Sequence, residues 1–328
     1  MNDLLFATVL ALAWFATVNA TASVAAAALG WGLDRSLARA RPASAARVFF
    51  VVRLLPGVVS LFFIGALFLP AHWRLEPTNA EESAGYSLVL LAVIGAAILV
   101  ATAWRAWVAA RATGWIGRVW ARRSQPRAID AGGVPVYGLP DSSPVVSLVG
   151  VFRPRLFVAT QVLDALTPDE LDVSVAHELA HLRSRDNLKR VLAACSPDLL
   201  SMVGLSRRVE DRWRRSLEFA ADATAVGDDE ARALSLVSAL VKVAKLAPAP
   251  RHTHVSLLAG SHFYEGALLA ARIDRLLKVE TWRRQSFAMV PVWPVSLAGL
   301  TLLAALLPSQ TVWLTVHVVT EGLIRVLP

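Results

Sequence analysis

The chain has 328 residues, of which 55% are hydrophobic and 18% are charged, and it carries a net charge of +8 and one cysteine. This composition is too apolar for an ordinary soluble domain of the same length and predicts membrane-spanning segments. The single cysteine, Cys195, excludes an intramolecular disulfide framework. The basic charge favours membrane topology over direct nucleic-acid binding, because much of the arginine flanks the apolar segments.

Three uncharged runs in the first third of the chain predict transmembrane helices. They cover residues 4–33, 54–73 and 83–104, and each is at least as long as the ~20 residues that span a bilayer. The first run contains Ala-Thr-Ala around residue 20, which resembles a signal-peptide cleavage site. The run is too long for a signal peptide, however, and the only charged residue before it is Asp3, whereas a signal peptide begins with Lys or Arg. We therefore expect a retained first span.

The charges between these runs predict the orientation of the chain. The loop after the first span is basic, the loop after the second is acidic, and the residues after the third are again basic. The positive-inside rule places the N-terminus outside, residues 31–47 inside, residues 71–84 outside and everything after Arg105 inside. We therefore expect a multi-pass protein of the cytoplasmic membrane, embedded in the lipid bilayer. The first basic loop holds Arg35, Arg39, Arg41 and Arg47.

A small β-sheet is predicted after residues 124–133, whose composition indicates a linker. Apolar β-type runs follow at residues 134–137, 145–149 and 156–158, and proline-containing turns separate them. An edge strand of such a sheet can bind an extended peptide by β-augmentation. Alternatively, the sheet only covers the core of the domain.

A capped helix with a metal-binding pattern follows the predicted sheet. Residues 167–170 read Thr-Pro-Asp-Glu, a capping box with proline at the first helical position. Residues 177–181 read His-Glu-Leu-Ala-His, and on a helix His177 and His181 can present two imidazoles to one metal ion. Zinc takes such nitrogens at about 2.0–2.1 Å. Glu178 can then act as a general base on the water that completes a catalytic site.

A catalytic zinc site needs a third protein ligand, and the sequence favours Glu218. This residue lies on a charged helix predicted to start at Arg207, and Asp222 follows it one turn later on the same face. A carboxylate such as that of Asp222 can accept the free N–H of a ligand histidine and fix its orientation. Glu210 and Asp211 are alternative ligands, but the arginines around them indicate a solvated face.

Three further residues are candidates for supporting roles. Asp186 follows the motif closely and is either a hydrogen-bond partner of a ligand histidine or a charge at a helix end. His262 and Tyr264 could donate hydrogen bonds to a developing oxyanion, although such residues more often only pack or contact solvent.

The rest of the chain is predicted to be helical. Residues 188–205 are apolar and interrupted by Pro197, so they form either a helical hairpin that touches the membrane or a buried segment. Residues 228–246 and 265–279 read as amphipathic helices. The uncharged run 286–307 predicts a fourth span, and the tail either crosses the membrane or lies in the interface. The polar side of the helix at 265–279 is expected to carry Arg272, Arg275 and Lys278.

Four segments together resemble the BlaR/MecR-type integral-membrane zinc metallopeptidases, and more distantly the HtpX/Ste24-type membrane gluzincins. They are Pro-Val-Val-Ser-Leu-Val-Gly at 144–150, Phe-Arg-Pro-Arg at 152–155, HELAHLRSRD at 177–186 and EFAAD at 218–222. The resemblance extends over nearly the whole chain. It implies that His177, His181 and Glu218 ligate one Zn²⁺ per chain and that Glu178 is the catalytic residue.

The resemblance also implies a domain organisation. We expect a mainly α, polytopic membrane protein with a gluzincin-type helical metalloprotease domain and a small β-sheet. Three transmembrane helices occupy residues 1–123, a cytoplasmic zinc metallopeptidase domain occupies 124–284, and a fourth transmembrane helix with an amphipathic or short membrane segment occupies 285–328. The β-lactam sensors of the family carry a penicillin-binding domain after the last span, and we do not expect one in a sequence that ends at Pro328.

The expected activity is that of a membrane-embedded zinc endopeptidase. Its substrate would be a cytosolic or membrane-proximal regulatory protein, such as a transcriptional repressor. One alternative is a protease for the quality control of membrane proteins. Another is a non-catalytic scaffold or signal transducer, against which Glu178 argues, because metal binding alone does not need a base at that position.

Overall fold

The structure is a computed structural model that describes residues 3–38, 40–75, 85–140, 146–246, 266–278 and 310–326. These residues are mostly helical, with one small sheet. The helices are α1 (Asp3–Leu37), α2 (Pro42–Phe62), a π-helical segment (Phe63–Phe68), α3 (Leu69–Leu75), α4 (Tyr86–Arg123), α5 (Thr160–Ala165), α6 (Pro168–Arg183), α7 (Asp186–Cys195), α8 (Leu199–Met202), α9 (Arg207–Val226), α10 (Glu230–Leu246), α11 (Gly266–Leu277) and α12 (Gln310–Val326). The strands are β1 (Gln125–Arg127), β2 (Val136–Leu139), β3 (Val146–Val149) and β4 (Arg155–Ala159).

Three helical stretches are long and apolar enough to cross a membrane. They are α1, the continuous stretch Pro42–Leu75 and α4. Each extends beyond the uncharged run that predicts it, so Arg47 lies on α2 rather than in a loop as expected. Arginine is a good helix former, and a helix therefore need not end where its apolar composition ends. The 38 residues of α4 are about 57 Å long at 1.5 Å per residue, against a hydrocarbon layer of ~30 Å.

The sheet has four strands in the order β1-β2-β4-β3. Strands β2 and β4 pair in parallel, and the other two pairs are antiparallel. The prediction of a linker at residues 124–133 was wrong at its start, because β1 follows α4 almost directly and pairs with β2. Three short strands were expected, but β1 has no apolar side chain that would have revealed it. The end of α4 packs on the sheet, where the rings of Trp120 and Phe157 lie 5.5 Å apart.

Strand β3 forms one edge of the sheet, and side chains of α6 and α7 cover it. The N–H of Leu148 donates to Glu178 Oε2 at 3.1 Å. The side-chain amide of Asn187 donates to the carbonyls of Leu148 at 3.1 Å and Gly150 at 3.0 Å. A peptide that pairs with β3 at Leu148 would therefore have to displace these side chains.

Residues 196–202 dock onto the membrane helices through buried polar groups. Asn19 of α1 donates to the carbonyls of Pro56 at 3.2 Å and Pro197 at 3.1 Å, and it accepts the N–H of Leu199 at 3.0 Å. Arg53 of α2 donates to the carbonyl of Ala193 at 3.1 Å. The segment from α7 to α8 therefore consists of two helices that pack beside the spans, with residues 196–198 buried between them and Leu192, Val203 and Leu205 exposed.

Helix α6, which carries His177 and His181, lies in the centre of the remaining fold. Helix α6 packs on β3, α7, α9 and α10, and α11 packs on α9 and α10. The apolar face of α9 instead meets α2, where Trp213 is 1% exposed and lies 5.6 Å from the ring of Phe50. Helix α12 packs against α3 and the π-helical segment, and the indole N–H of Trp14 donates to Thr320 at 3.1 Å. The fourth span predicted at 286–307 lies outside the described residues.

Candidate metal centre

Helix α6 is fixed at its start by the predicted capping box. The N–H of Thr167 donates to Glu170 Oε2 at 2.8 Å, and the N–H of Glu170 donates back to the Thr167 hydroxyl at 3.4 Å. Ser238 and Lys242 of α10 also donate to the Glu170 carboxylate, at 2.6 and 2.7 Å. Burial alone would raise the pKa of Glu170, but these donors outweigh it and lower the pKa to about 2. The box thus joins α6 to α10 and fixes the helix that carries the motif.

His177 and His181 lie one turn apart on the buried face of α6. Both side chains are at most 1% exposed. Their Nε2 atoms face each other at 3.2 Å, and the two rings are nearly perpendicular with centroids 4.8 Å apart. The helical spacing of the motif therefore brings two imidazole nitrogens to one point, as the sequence predicts.

Glu218 of α9 completes a three-residue group with these histidines. Its two oxygens lie 3.5 Å from His177 Nε2 and 3.5 Å from His181 Nε2. Nitrogens and oxygens that bind one tetrahedral zinc ion at about 2.0–2.1 Å are separated from one another by about 3.3 Å. The observed separations of 3.2 to 3.5 Å match this value. The group could therefore hold a metal ion, since one ligand atom from each residue lies within 4.8 Å of the others.

Two aspartates hold the opposite nitrogens of the histidine rings. His177 Nδ1 lies 2.9 Å from Asp222 Oδ1, and His181 Nδ1 lies 2.8 Å from Asp186 Oδ2. An ionised carboxylate has no hydrogen to donate, so each Nδ1 carries the hydrogen of that bond. The lone pairs of both Nε2 atoms then point at each other and at Glu218, which is unfavourable unless a cation lies between them. Asp186 is also the first residue of α7, so it occupies a helix end and contacts the histidine at once.

The pKa values of His181 and Glu218 are also shifted in the directions that favour a positive charge between them. Burial opposes the charged form of His181, but the charge of Glu218 and the hydrogen bond to Asp186 outweigh it and raise the pKa to about 9. Burial likewise opposes ionised Glu218, yet the charge of His181 and hydrogen bonds from both histidines hold its pKa well below the usual range. A proton or a metal ion can supply this charge, and the two therefore compete for the site.

Glu178 lies beside the group and is fully buried. Its Oε2 accepts the N–H of Leu148 from the edge strand, so the side chain is oriented by a backbone group that does not move with α6. It follows His177 directly on α6 and shares the buried surroundings of the two histidines. Glu178 is thus placed next to the three-residue group without being part of it.

Arg272 of α11 is a residue of this site that the sequence interpretation missed. It is 2% exposed, whereas the amphipathic pattern of its helix predicted the polar side. Its Nε and Nη2 form a fork on Asp222 at 2.9 and 2.6 Å, and its Nη1 lies 3.2 Å from Glu218 Oε2. The charge of Asp222 is the main opponent of burial and raises the pKa of Arg272. Arg275 is partly buried and only Lys278 is exposed as predicted.

The remaining candidates are not part of the group. Glu210 contacts Arg53 at 3.4 Å and Arg214 at 2.9 Å, and Asp211 is exposed on the same helix. The alternative ligands therefore lie on the solvated or membrane-facing side of α9, as the arginines around them indicate. His262 and Tyr264 lie outside the described residues, and their predicted role as oxyanion donors stays a prediction.

Comparison of the chain with protein-family profiles and with curated protein sequences gives no match. The site consists of a buried His-His-Glu group, two aspartates behind the histidines, a glutamate beside the group and an arginine across it.

Proposed function

We propose that the protein is a membrane-embedded zinc-dependent endopeptidase with a gluzincin-type site. The observation that carries the proposal is the convergence of His177 Nε2, His181 Nε2 and the Glu218 carboxylate at separations of 3.2 to 3.5 Å, with Glu178 next to them. Two nitrogens and one carboxylate are a typical ligand set of catalytic zinc, which leaves one position open. A purely structural zinc site closes all four positions with protein ligands.

The chemistry follows from the roles of the residues around the open position. A bound zinc ion would polarise the scissile carbonyl and make water more acidic. Glu178 takes a proton from the attacking water as its oxygen bonds to the carbonyl carbon. Glu178 then gives that proton to the amide nitrogen as the C–N bond breaks, which yields a carboxylic acid and an amine. Asp222 and Asp186 keep both histidines in the tautomer that leaves Nε2 free.

The proposed substrate is a protein that reaches the cytoplasmic face of the membrane. The arginine pattern places residues after Arg105 on that side. The site is joined to the spans through α9 and through residues 196–202, so a substrate near the bilayer is within its reach. We favour a regulatory protein, such as a transcriptional repressor, over general removal of damaged membrane proteins, on the resemblance of the sequence motifs.

A substrate peptide can pair with the edge strand β3 only after side chains that now bind this strand are displaced. Leu148 offers the N–H and C=O groups that an extended peptide would pair with, but Glu178 and Asn187 hold them. A peptide that adds to β3 therefore has to release Glu178 from Leu148, and this would free the same carboxylate for the water. Peptide binding and activation of the base would then be one event.

Replacement of Glu178 by glutamine tests the proposal. Glutamine keeps the shape and the hydrogen bond from Leu148 but cannot take a proton. General-base steps contribute ~10²–10⁴ in rate, so the cleavage rate should fall by at least ~10²-fold. Zinc content and membrane abundance should stay unchanged. The measurement follows proteins that accumulate uncut in cells carrying Glu178→Gln, compared with wild type at equal abundance.

Asp172→Asn is the matched control, because Asp172 lies on the same helix but is 65% exposed and pairs with Arg232 of α10 at 2.8 Å. This variant should process substrates like wild type. If Glu178→Gln keeps the full cellular phenotype and leaves no protein uncut, the protein is not a protease and a scaffold or signal transducer becomes the better description.

A further inference from the structure

Glu218 and Asp222 are two carboxylates buried close together on α9. They lie four residues apart on α9, so their carboxylates share one face of the helix, and both are at most 6% exposed. Two buried carboxylates at this spacing repel each other unless a cation lies beside them. Glu218 is the proposed metal ligand and Asp222 Oδ1 lies 2.9 Å from His177 Nδ1, so the positions of both carboxylates matter for the centre.

A single guanidinium lies between these two carboxylates. Arg272 makes a fork on both oxygens of Asp222 and reaches Glu218 Oε2 at 3.2 Å with its third nitrogen. Its Nη2 also lies 3.4 Å from His177 Nδ1. Arginine cannot lose its proton in a protein and offers donors in a planar arrangement, which a lysine ammonium does not. All three nitrogens of the group are thereby directed at the metal centre.

The other cations of the site cannot take this role. Lys189 pairs with Asp186 at 2.7 Å and is a flexible, partly exposed side chain. Arg190 approaches the other oxygen of Glu218 only to 3.7 Å. Within the described residues, Arg272 is the buried cation that contacts Glu218 and Asp222 together.

We propose that Arg272 is the positioning residue of the metal centre: its guanidinium orients the ligand Glu218 and the histidine partner Asp222. The inference rests on the proposed metal site. It also assigns a role to α11, which contributes this one side chain to the centre and packs on α9 and α10 through apolar residues such as Leu276. The ligand Glu218 is therefore held by Arg272 only when α11 is docked.

The test measures metal binding rather than proteolysis. Full-length wild type, Arg272→Met and Arg272→Lys are purified in detergent, stripped of metal and titrated with Zn²⁺ against a chelator. Loss of a residue that orients metal ligands typically weakens affinity by about 10–100-fold, and we expect this for Arg272→Met. Arg272→Lys keeps the positive charge but cannot make the pair of hydrogen bonds to Asp222. Its affinity for Zn²⁺ should therefore lie between those of Arg272→Met and wild type.

A Co²⁺ titration supplies the readout that a merely structural role would not change. The visible absorption per bound Co²⁺ depends on the number and geometry of its ligands, so displacement of Glu218 should alter it in both variants. Lys278→Met is the control: Lys278 directly follows the same helix, its side chain is 63% exposed and it pairs with Asp274 at 2.6 Å. It should bind both metals like wild type.

The outcomes separate the two proposals. If wild type binds neither Zn²⁺ nor Co²⁺, the metal centre itself is wrong. If wild type binds both, and Arg272→Met binds them with unchanged affinity and unchanged absorption, the positioning role of Arg272 is refuted. Should Arg272→Met fail to fold, Arg272→Lys decides the question, and wild-type affinity and absorption in that variant refute the role.

Discussion

Replacement of Asn19 by leucine tests how strongly the membrane helices hold the segment between the two halves of the metal site. Asn19 is fully buried in α1, and leucine is similar in size but makes no hydrogen bond. Four contacts are lost, to Pro56, Ser60, Pro197 and Leu199. The segment at 196–199 joins α7, which begins at Asp186, to the part of the chain that carries Glu218.

The expected loss of stability follows from the partners that remain. The carbonyl of Pro56 keeps the Ser60 hydroxyl at 2.6 Å, so neither of these groups is stranded. The carbonyl of Pro197 and the N–H of Leu199 lose the bond from α1, and a buried polar group without its partner costs ~1–3 kcal/mol, or ~2–6 kcal/mol for two. Leucine removes the need to bury an amide, which returns ~1–2 kcal/mol. We therefore expect a net loss of about 3 kcal/mol in unfolding free energy.

Chemical unfolding of the purified protein in detergent micelles, followed by tryptophan fluorescence, measures this difference. Thr21→Val is the control, because Thr21 is exposed on α1 and bonds only to carbonyls of its own helix. The control should change the unfolding free energy by less than ~0.5 kcal/mol. If Asn19→Leu is as stable as Thr21→Val, these hydrogen bonds do not hold the segment, and the reasoning above is wrong.

Further predictions concern metal, pH and topology. Purified wild type should contain about one zinc per chain and His181→Ala almost none, as measured by elemental analysis, and zinc-free active protein would contradict the ligand assignment. Glu170→Gln should lower the unfolding free energy by ~1–2 kcal/mol at pH 7. Because folding lowers the pKa of Glu170 from 4.5 to about 2, this difference should be present above pH 4.5 and vanish as the pH falls toward 2; a constant difference in unfolding experiments across that range would disprove it. A reporter fused near Gly133 should be active only in its cytoplasmic form, and activity on the other side of the membrane would overturn the proposed orientation.

The parts of the site that lie within one helix could be predicted from the sequence, and the part that joins distant helices could not. The two histidines depend on helical spacing and on the capping box, which are both local properties of residues 167–181. Glu218 and Asp222 were found because their own spacing repeats this logic on a second helix. Arg272 lies 50 residues beyond Asp222, and nothing in the pattern of its helix separates a buried guanidinium from a solvated one. One signal was present: two buried carboxylates one turn apart require a cation from elsewhere in the chain.

The positions of the candidate spans could be predicted from the sequence, whereas their ends could not. The uncharged runs predict three apolar helices, and the structure has three that are long and apolar enough to cross a membrane. They do not predict where a helix ends, because backbone hydrogen bonding continues through arginine-rich turns without reference to the bilayer. Strand β1 was missed because its pairing with β2 is set by the end of α4 and not by its own side chains.

The packing of α9 on α2 has a consequence for how the protein is made. The N-terminal half of α2 precedes the uncharged run at 54–73, and it carries part of the apolar surface that buries Val209, Trp213 and Leu217. This surface leaves the ribosome about 160 residues before α9 does, so α9 is synthesised when its docking partner is already anchored. Residues 124–284 produced without the spans would expose this apolar face, and we expect them to aggregate rather than fold alone. On this reasoning, α2 offers α9 a preformed apolar surface on which to fold.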